Sequence, residues 1–205
     1  SDLRGPLPQV QIDRTNVRFR ALHAQARLIL LGRHQSTTGG VQSGQAILFR
    51  MNDLFEAWVA RVLQRRLVPE SWRVTLQGPQ RDALHRNGTG VFRMKPDLVL
   101  DRPGLRIVVD TKWKTLSPLS RDPRRGVSQS DVYQLLAYGR AYQAGVVILL
   151  YPSPTDEAGL DRLQVQGDAL PFYLAEVPLT NLRATPDLLA SVVDQADAAN
   201  IALPV

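Results

Sequence analysis

The sequence predicts an α/β protein whose central mixed β-sheet is flanked by helices. Three observations carry that prediction. A long amphipathic segment precedes the strands, two apolar runs flank a Pro103-Gly104 turn, and an unbroken apolar run from Val146 to Tyr151 follows a further helical segment. The order helix, three strands, helix, strand is that of a sheet covered on both faces.

Residues 16–32 read as a helix, with Thr15 or Asn16 as N-cap, Phe19, Leu22, Ala26, Ile29 and Leu30 at helical spacing, and Gly32 as its stop. Residues 33–44 are polar and Gly-rich, a loop that leads into the core, so residues 1–44 form an N-terminal helix and loop and 45–205 the principal domain. From about Gln45 to Arg66 the stripe Ile47, Leu48, Met51, Leu54, Phe55, Trp58, Val59, Val62 and Leu63 predicts a long amphipathic helix, ended by Pro69. Trp72 to Leu76 alternates as a short strand, and Gly78 to Gly90 reads as a polar loop carrying Arg81, His85 and Arg86. Strands follow over about Phe92–Leu100 and Leu105–Thr111, paired as a hairpin through the Pro-Gly turn. Leu116 to Gly126 is a basic, Pro-containing loop, and Ser128 or Ser130 caps a helix reaching about Gln143. Val146–Tyr151 has the composition of a central buried strand. One or two short strands within 162–177 and a helix over about 186–199, opened by Thr185-Pro186, complete the chain.

The 205 residues suffice for one domain, or one with an appendage, and a sizeable core. There is no cysteine, which excludes disulfides and thiolate metal sites and fits a cytoplasmic protein. No apolar run approaches the ~20 residues that cross a bilayer, so no membrane association is expected. The first ten residues lack Met and a signal-peptide core, which points to a processed start or to a piece of a longer chain. Charge is uneven: residues 141–205 hold two arginines against eight acids, net −6, and residues 1–140 hold 23 basic against 11 acidic residues, net +12. That asymmetry fits either a polyanion-binding face or an Arg-rich solvated surface.

The window Met94–Lys114 concentrates the chemistry. Asp97 stands at the start of one apolar run, and Asp110 with Lys112 at the end of the next. Pro96 removes a strand donor beside Asp97, and Asp110 closes a run so apolar that its carboxylate is expected to be partly buried, which is costly unless it is paired or metal-bound. Asp110 and Lys112 alternate onto one strand face. The only three lysines, Lys95, Lys112 and Lys114, all lie here, whereas the other 22 basic residues are arginine. Two carboxylates and an amine suit metal-assisted phosphodiester hydrolysis: Mg²⁺ takes hard oxygen ligands and retains waters, and a lysine beside it orients the water or neutralises developing charge. A lysine acting as base would need a depressed pKa, and the spacing alone equally allows a plain salt bridge. The three histidines, His23, His34 and His85, share no ligand-like spacing, and the glycines at 39, 40 and 44 lack a following Lys-Ser/Thr, so neither a zinc site nor a P-loop is expected. Trp113 suits packing and base stacking equally.

Pro96-Asp97, a hairpin, then Asp110-Thr111-Lys112 resembles the PD-(D/E)xK nuclease signature. Glu56 on the upstream helix stands where that superfamily carries an additional acid, and Gln134 and Tyr138 resemble the QxxxY element of its RecB-like branch, with Asp131 one turn earlier. The segments RMNDLFEAWVARVL (50–63), MKPDLVL (94–100), VVDTKWK (108–114) and SDVYQLLAYG (130–139) closely resemble the nuclease domain of the McrC family, over roughly residues 16–151. The resemblance implies a restriction-endonuclease-like core and a Mg²⁺-dependent DNA endonuclease, with Mn²⁺ as a substitute, in a modification-dependent (5-methylcytosine type) restriction system. It implies a GTP-hydrolysing AAA+ partner, McrB, and against the family pattern the region that engages that partner is expected to be absent or shortened here. It implies catalytic roles for Asp97, Asp110, Lys112, Glu56, Gln134 and Tyr138, and metal ligation by Asp97, Asp110, Thr111 and Glu56. Phosphate contacts are expected from Lys114, Arg121, Arg124 and Arg125. The alternatives are a RecB-like repair exonuclease and a catalytically idle DNA-binding or scaffold module with the same fold.

Overall fold

The computed structural model describes residues 50–181 and 184–201, all within one compact unit that begins at Arg50. The helix expected over 16–32, the loop over 33–44 and the first residues of the long helix lie outside the described residues.

Helix α1 spans Met51–Leu67 and runs into a 3₁₀ turn, Val68–Glu70, whose Pro69 cannot continue an α-helix. The strands are β1 (Arg73–Leu76), β2 (Arg81–Arg86), β3 (Thr89–Met94), β4 (Leu98–Arg102), β5 (Leu105–Thr111), β6 (Val146–Ser153), β7 (Gly159–Gln164) and β8 (Pro171–Pro178). Helix α2 (Gln129–Tyr142) connects β5 to β6, and α3 (Thr185–Ile201) follows β8. Six strands form one mixed sheet in the order β1-β4-β5-β6-β8-β7. Its centre, β5-β6-β8, is parallel, and β1, β4 and β7 are antiparallel to their neighbours. The α/β architecture with a mixed sheet between helices is therefore observed.

Period-2 alternation divides the core in two. Leu98, Leu100, Ile107, Val109, Ile148 and Leu150 face α1 and α3, where Phe55, Val59, Leu63, Leu189 and Val193 meet them. Val99, Val108, Val147, Leu149 and Tyr151 face α2 through Leu135, Tyr138 and Tyr142. The fully buried β6 agrees with its unbroken apolar run. Helix α2 lies close to the sheet because Gly139 has no side chain: a Cβ there would come within 2.8 Å of Val147 and Leu170.

Two expectations are corrected. The segment from Gly78 to Gly90 is not a loop. Arg81–Arg86 and Thr89–Met94 pair as a separate antiparallel ribbon, β2–β3, with Asn87-Gly88 at positive φ in its turn. A strand continuous from Phe92 to Leu100 is also not observed. The chain leaves β3 at Met94 and enters the main sheet only at Leu98, because Pro96 lacks the N–H that a ladder needs. Asp97 sits in that break.

Candidate active site

Asp97, Asp110 and Lys112 come together in one cleft of about 240 Å³, with Glu56, Thr111, Gln134 and Tyr138 also on its wall. Strand β5 delivers Asp110 on its α2-facing side, next to β6, where Asp110 is in register with Leu149. The strand direction persists past Thr111 because the Lys112 N–H donates to the Leu150 carbonyl at 2.9 Å. Lys112 therefore emerges on the same side as Asp110, its Nζ 2.7 Å from Asp110 Oδ2.

Asp97 is fixed by the strand opposite. The Thr111 backbone N–H and hydroxyl both donate to Asp97 Oδ2, each at 2.7 Å. Thr111 thus spends both donors on orienting a carboxylate. The Asp97 carbonyl accepts from Gln77 N, which holds its backbone as well.

Helix α2 supplies the other wall. The Ser128 hydroxyl accepts from Asp131 N as N-cap, which decides between the two candidate caps. One turn on, Gln134 Oε1 accepts from Lys112 Nζ at 3.3 Å while its Nε2 donates to Tyr138 Oη at 2.9 Å. Because an ammonium can only donate, this network sets the amide orientation. Asp131 lies 3.6 Å from Lys112 Nζ and accepts from Lys114 Nζ at 2.9 Å. Helix α1 closes the site from the far face: the Trp113 N–H donates to Asn52 Oδ1, and the Trp113 ring packs at a tilt on Phe55, 5.5 Å between centroids. Trp113 packs on Phe55 and is also 38% exposed.

Carboxylates crowd the cleft, and two of them are raised. Burial, and then the neighbouring Asp97, push the Asp110 carboxyl up to about 6 against the opposing pull of Lys112. Glu56 is raised as well, by burial and then by Asp97. Burial alone would lower Lys112, but Asp110, Asp131 and Asp97 outweigh it and hold the ammonium above its ordinary range. Burial raises the Tyr138 hydroxyl.

A divalent cation fits this chemistry. Asp110 Oδ2 is buried with an ion-pair neighbour but no aligned hydrogen bond, and both hydrogen bonds to Asp97 fall on its Oδ2. No cluster of three His, Cys, Asp or Glu side chains able to hold a metal occurs among the described residues. The donor set is thus a carboxylate pair, which suits an ion that retains waters and takes a phosphate oxygen.

The residues expected to contact phosphate fare unevenly. Arg121 and Arg124 are exposed. Arg125 turns inward to Glu176 on β8 and donates to the Ser117 carbonyl at 3.2 Å, and Lys114 is paired with Asp131. Asn52, Asp53 and Lys95 line the cleft without having been singled out for it; only the concentration of lysines pointed to Lys95. Among the described residues no helix is long and apolar enough to cross a membrane.

The fold is similar to that of a chain in the refined half-complex from the tetradecameric assembly of Thermococcus gammatolerans McrB AAA+ hexamers with bound McrC. The TM-score is 0.59 and the identity 18%, over 92% of this chain and 41% of that one. The protein thus spans about two fifths of that chain's length. A weaker likeness, TM-score 0.38 and 13% identity over 94% of this chain and 80% of the other, is to the crystal structure of SSO0001. No curated protein matches the sequence significantly. Residues 1–152 match the family described as McrBC 5-methylcytosine restriction system component. Since that match takes in most of the sequence and includes every residue of the cleft, the chain belongs to the McrC family of McrBC restriction-system components.

Proposed function

We propose that this chain is the metal-dependent DNA endonuclease component of a McrBC-type, modification-dependent restriction system, with an active site of the PD-(D/E)xK kind. The observation that carries the proposal is the convergence of Asp97, Asp110 and Lys112 in one cleft, with the lysine ammonium 2.7 Å from a buried carboxylate. Its class follows from the family, and its working partner is a GTP-hydrolysing AAA+ subunit of the McrB type.

Asp97 and Asp110 would hold Mg²⁺ or Mn²⁺, with Glu56 on the approach from α1. Such an ion, when bound, polarises the scissile phosphate and lowers the pKa of a coordinated water. The chain's own residues do the rest. Thr111 keeps the Asp97 carboxylate aimed by two hydrogen bonds and so pre-organises it. Lys112 places a fixed positive charge beside the phosphate, where it orients the attacking water and offsets the charge that develops on the phosphoryl oxygens. Gln134 holds the ammonium through Oε1, and Tyr138 holds Gln134. Without Gln134 the ammonium would be held by Asp110 and Asp131 alone.

Calorimetric titration with Mn²⁺ tests the metal site directly. The wild-type chain is expected to bind, and Asp110→Asn to lose at least about tenfold in affinity, because one of two carboxylate ligands is gone. Equal heats for both proteins, or none for either, would favour a catalytically idle module with this fold.

A further inference from the structure

The β2–β3 ribbon is the one described pair of strands outside the main sheet. A two-stranded ribbon is marginal on its own in water, and this one is fixed at its base only. There Tyr142 Oη on α2 donates to the Pro79 carbonyl at 2.6 Å and to the Met94 carbonyl at 3.1 Å. Arg81 donates to the Ala141 carbonyl at 2.6 Å and stacks over the Tyr142 ring. Beyond that clamp none of the ten remaining strand residues is buried and seven are exposed.

The exposed part has a particular chemistry. Arg86 and Arg93 make no ion pair among the described residues, and Asp82 is the only acid on either strand. Phe92 is 71% exposed and has φ +59°, a left-handed backbone that an aromatic residue seldom adopts. Leu84 is 58% exposed. An exposed, strained aromatic beside an arginine gains nothing from water, and strain of this kind persists at functional contacts. The exposed Leu84 and Phe92 share their strands with Arg86 and Arg93, which does not suit an apolar protein groove but does suit a polyanion whose groove floor offers thymine methyls to apolar contact. The ribbon is also placed for it. Strand β3 runs directly into Lys95-Pro96-Asp97, and Lys95 lines the cleft.

We propose that the β2–β3 ribbon is a duplex-DNA contact element, inserted in a groove beside the scissile phosphate, with Arg86 and Arg93 on backbone phosphates and Phe92 against the groove floor. A major groove about 12 Å wide admits a two-stranded ribbon. The inference rests on the reading of the chain as a DNA nuclease, and it adds where the duplex is gripped.

Equilibrium binding of a fluorescently labelled duplex of about 25 base pairs to the full chain, without divalent metal, tests it. The Arg86→Ala/Arg93→Ala variant is expected to bind at least about tenfold more weakly, with a log–log salt slope shallower by about 2, one per phosphate contact. Phe92→Gly, which removes the ring and relieves the backbone, is expected to bind more weakly while melting no lower than wild type. Arg61→Ala/Arg65→Ala, an equal charge loss on exposed α1 positions, is expected to leave binding within about twofold. Wild-type affinity and salt slope in the ribbon double variant would overturn the inference, as would equal weakening by the α1 control. A wild-type chain that binds no duplex at all would overturn the DNA-nuclease reading along with it.

Discussion

Asp110 carries a measurable cost. Its carboxyl is buried beneath α2, and burial, followed by the charge of Asp97, raises it to about 6 from an ordinary 3.8. The folded chain therefore holds this proton more tightly than the unfolded chain. The stabilising contribution is complete below about pH 4 and is lost as pH rises through 6. At about 1.4 kcal/mol per pH unit, the full loss is on the order of 2–3 kcal/mol. Asp110→Asn has no such proton, so in metal-free buffer its melting temperature relative to wild type is expected to climb between pH 4 and 6 and then level off. A difference constant from pH 4 to 8 would show that the carboxyl is not buried as described. Spacing alone pointed to Asp97, Asp110 and Lys112, because strand alternation puts Asp110 and Lys112 on one face and a hairpin returns the chain beside Asp97. It left the lysine's protonation open. That depends on Asp131 and Asp97 as well as on Asp110, and their joint effect appears only once α2 is docked.

At the scale of elements, Tyr142 ties the ribbon to the helix that carries Gln134 and Tyr138. Tyr142→Phe keeps the buried ring and deletes the one hydroxyl proton that the Pro79 and Met94 carbonyls share, at a cost of roughly 1–3 kcal/mol. Hydrogen exchange should then accelerate over residues 79–95 while β5 and β6 stay protected; uniform acceleration throughout would mean that the ribbon and the sheet open as one unit. The main sheet was legible because its strands are apolar runs with clear breaks. The ribbon was not, since Arg-Asp-Ala-Leu-His-Arg has neither alternation nor a buried face to impose it. Phe92–Leu100 read as one strand because Phe92 and Met94 alternate with polar residues and Leu98–Leu100 is apolar, and the missing proline donor won over that pattern.

Over the whole molecule, the contrast between a basic first part and an acidic last part is partly an internal matter. Four arginines of the first part pair with acids of the last: Arg66 with Asp187, Arg102 with Asp197, Arg125 with Glu176 and Arg140 with Asp168. These pairs span long sequence separations, so composition could not distinguish arginines that hold the fold from those that face solvent. The remaining basic surface is smaller than net charge suggests, and it includes the exposed Arg121 and Arg124 and the ribbon arginines. On the proposed function, Asp97, Asp110 and Lys112 hydrolyse DNA internally with a divalent metal. Cleavage of a closed circular, methylated plasmid in Mg²⁺, with the AAA+ subunit and GTP supplied, tests it most directly and also separates an endonuclease from an enzyme that requires DNA ends. Wild type should nick and linearise the circle, and Lys112→Ala should be slower by about 10²–10³-fold with duplex binding retained. Equal cleavage by the two proteins, or digestion that begins only after the circle is opened by another enzyme, would contradict it.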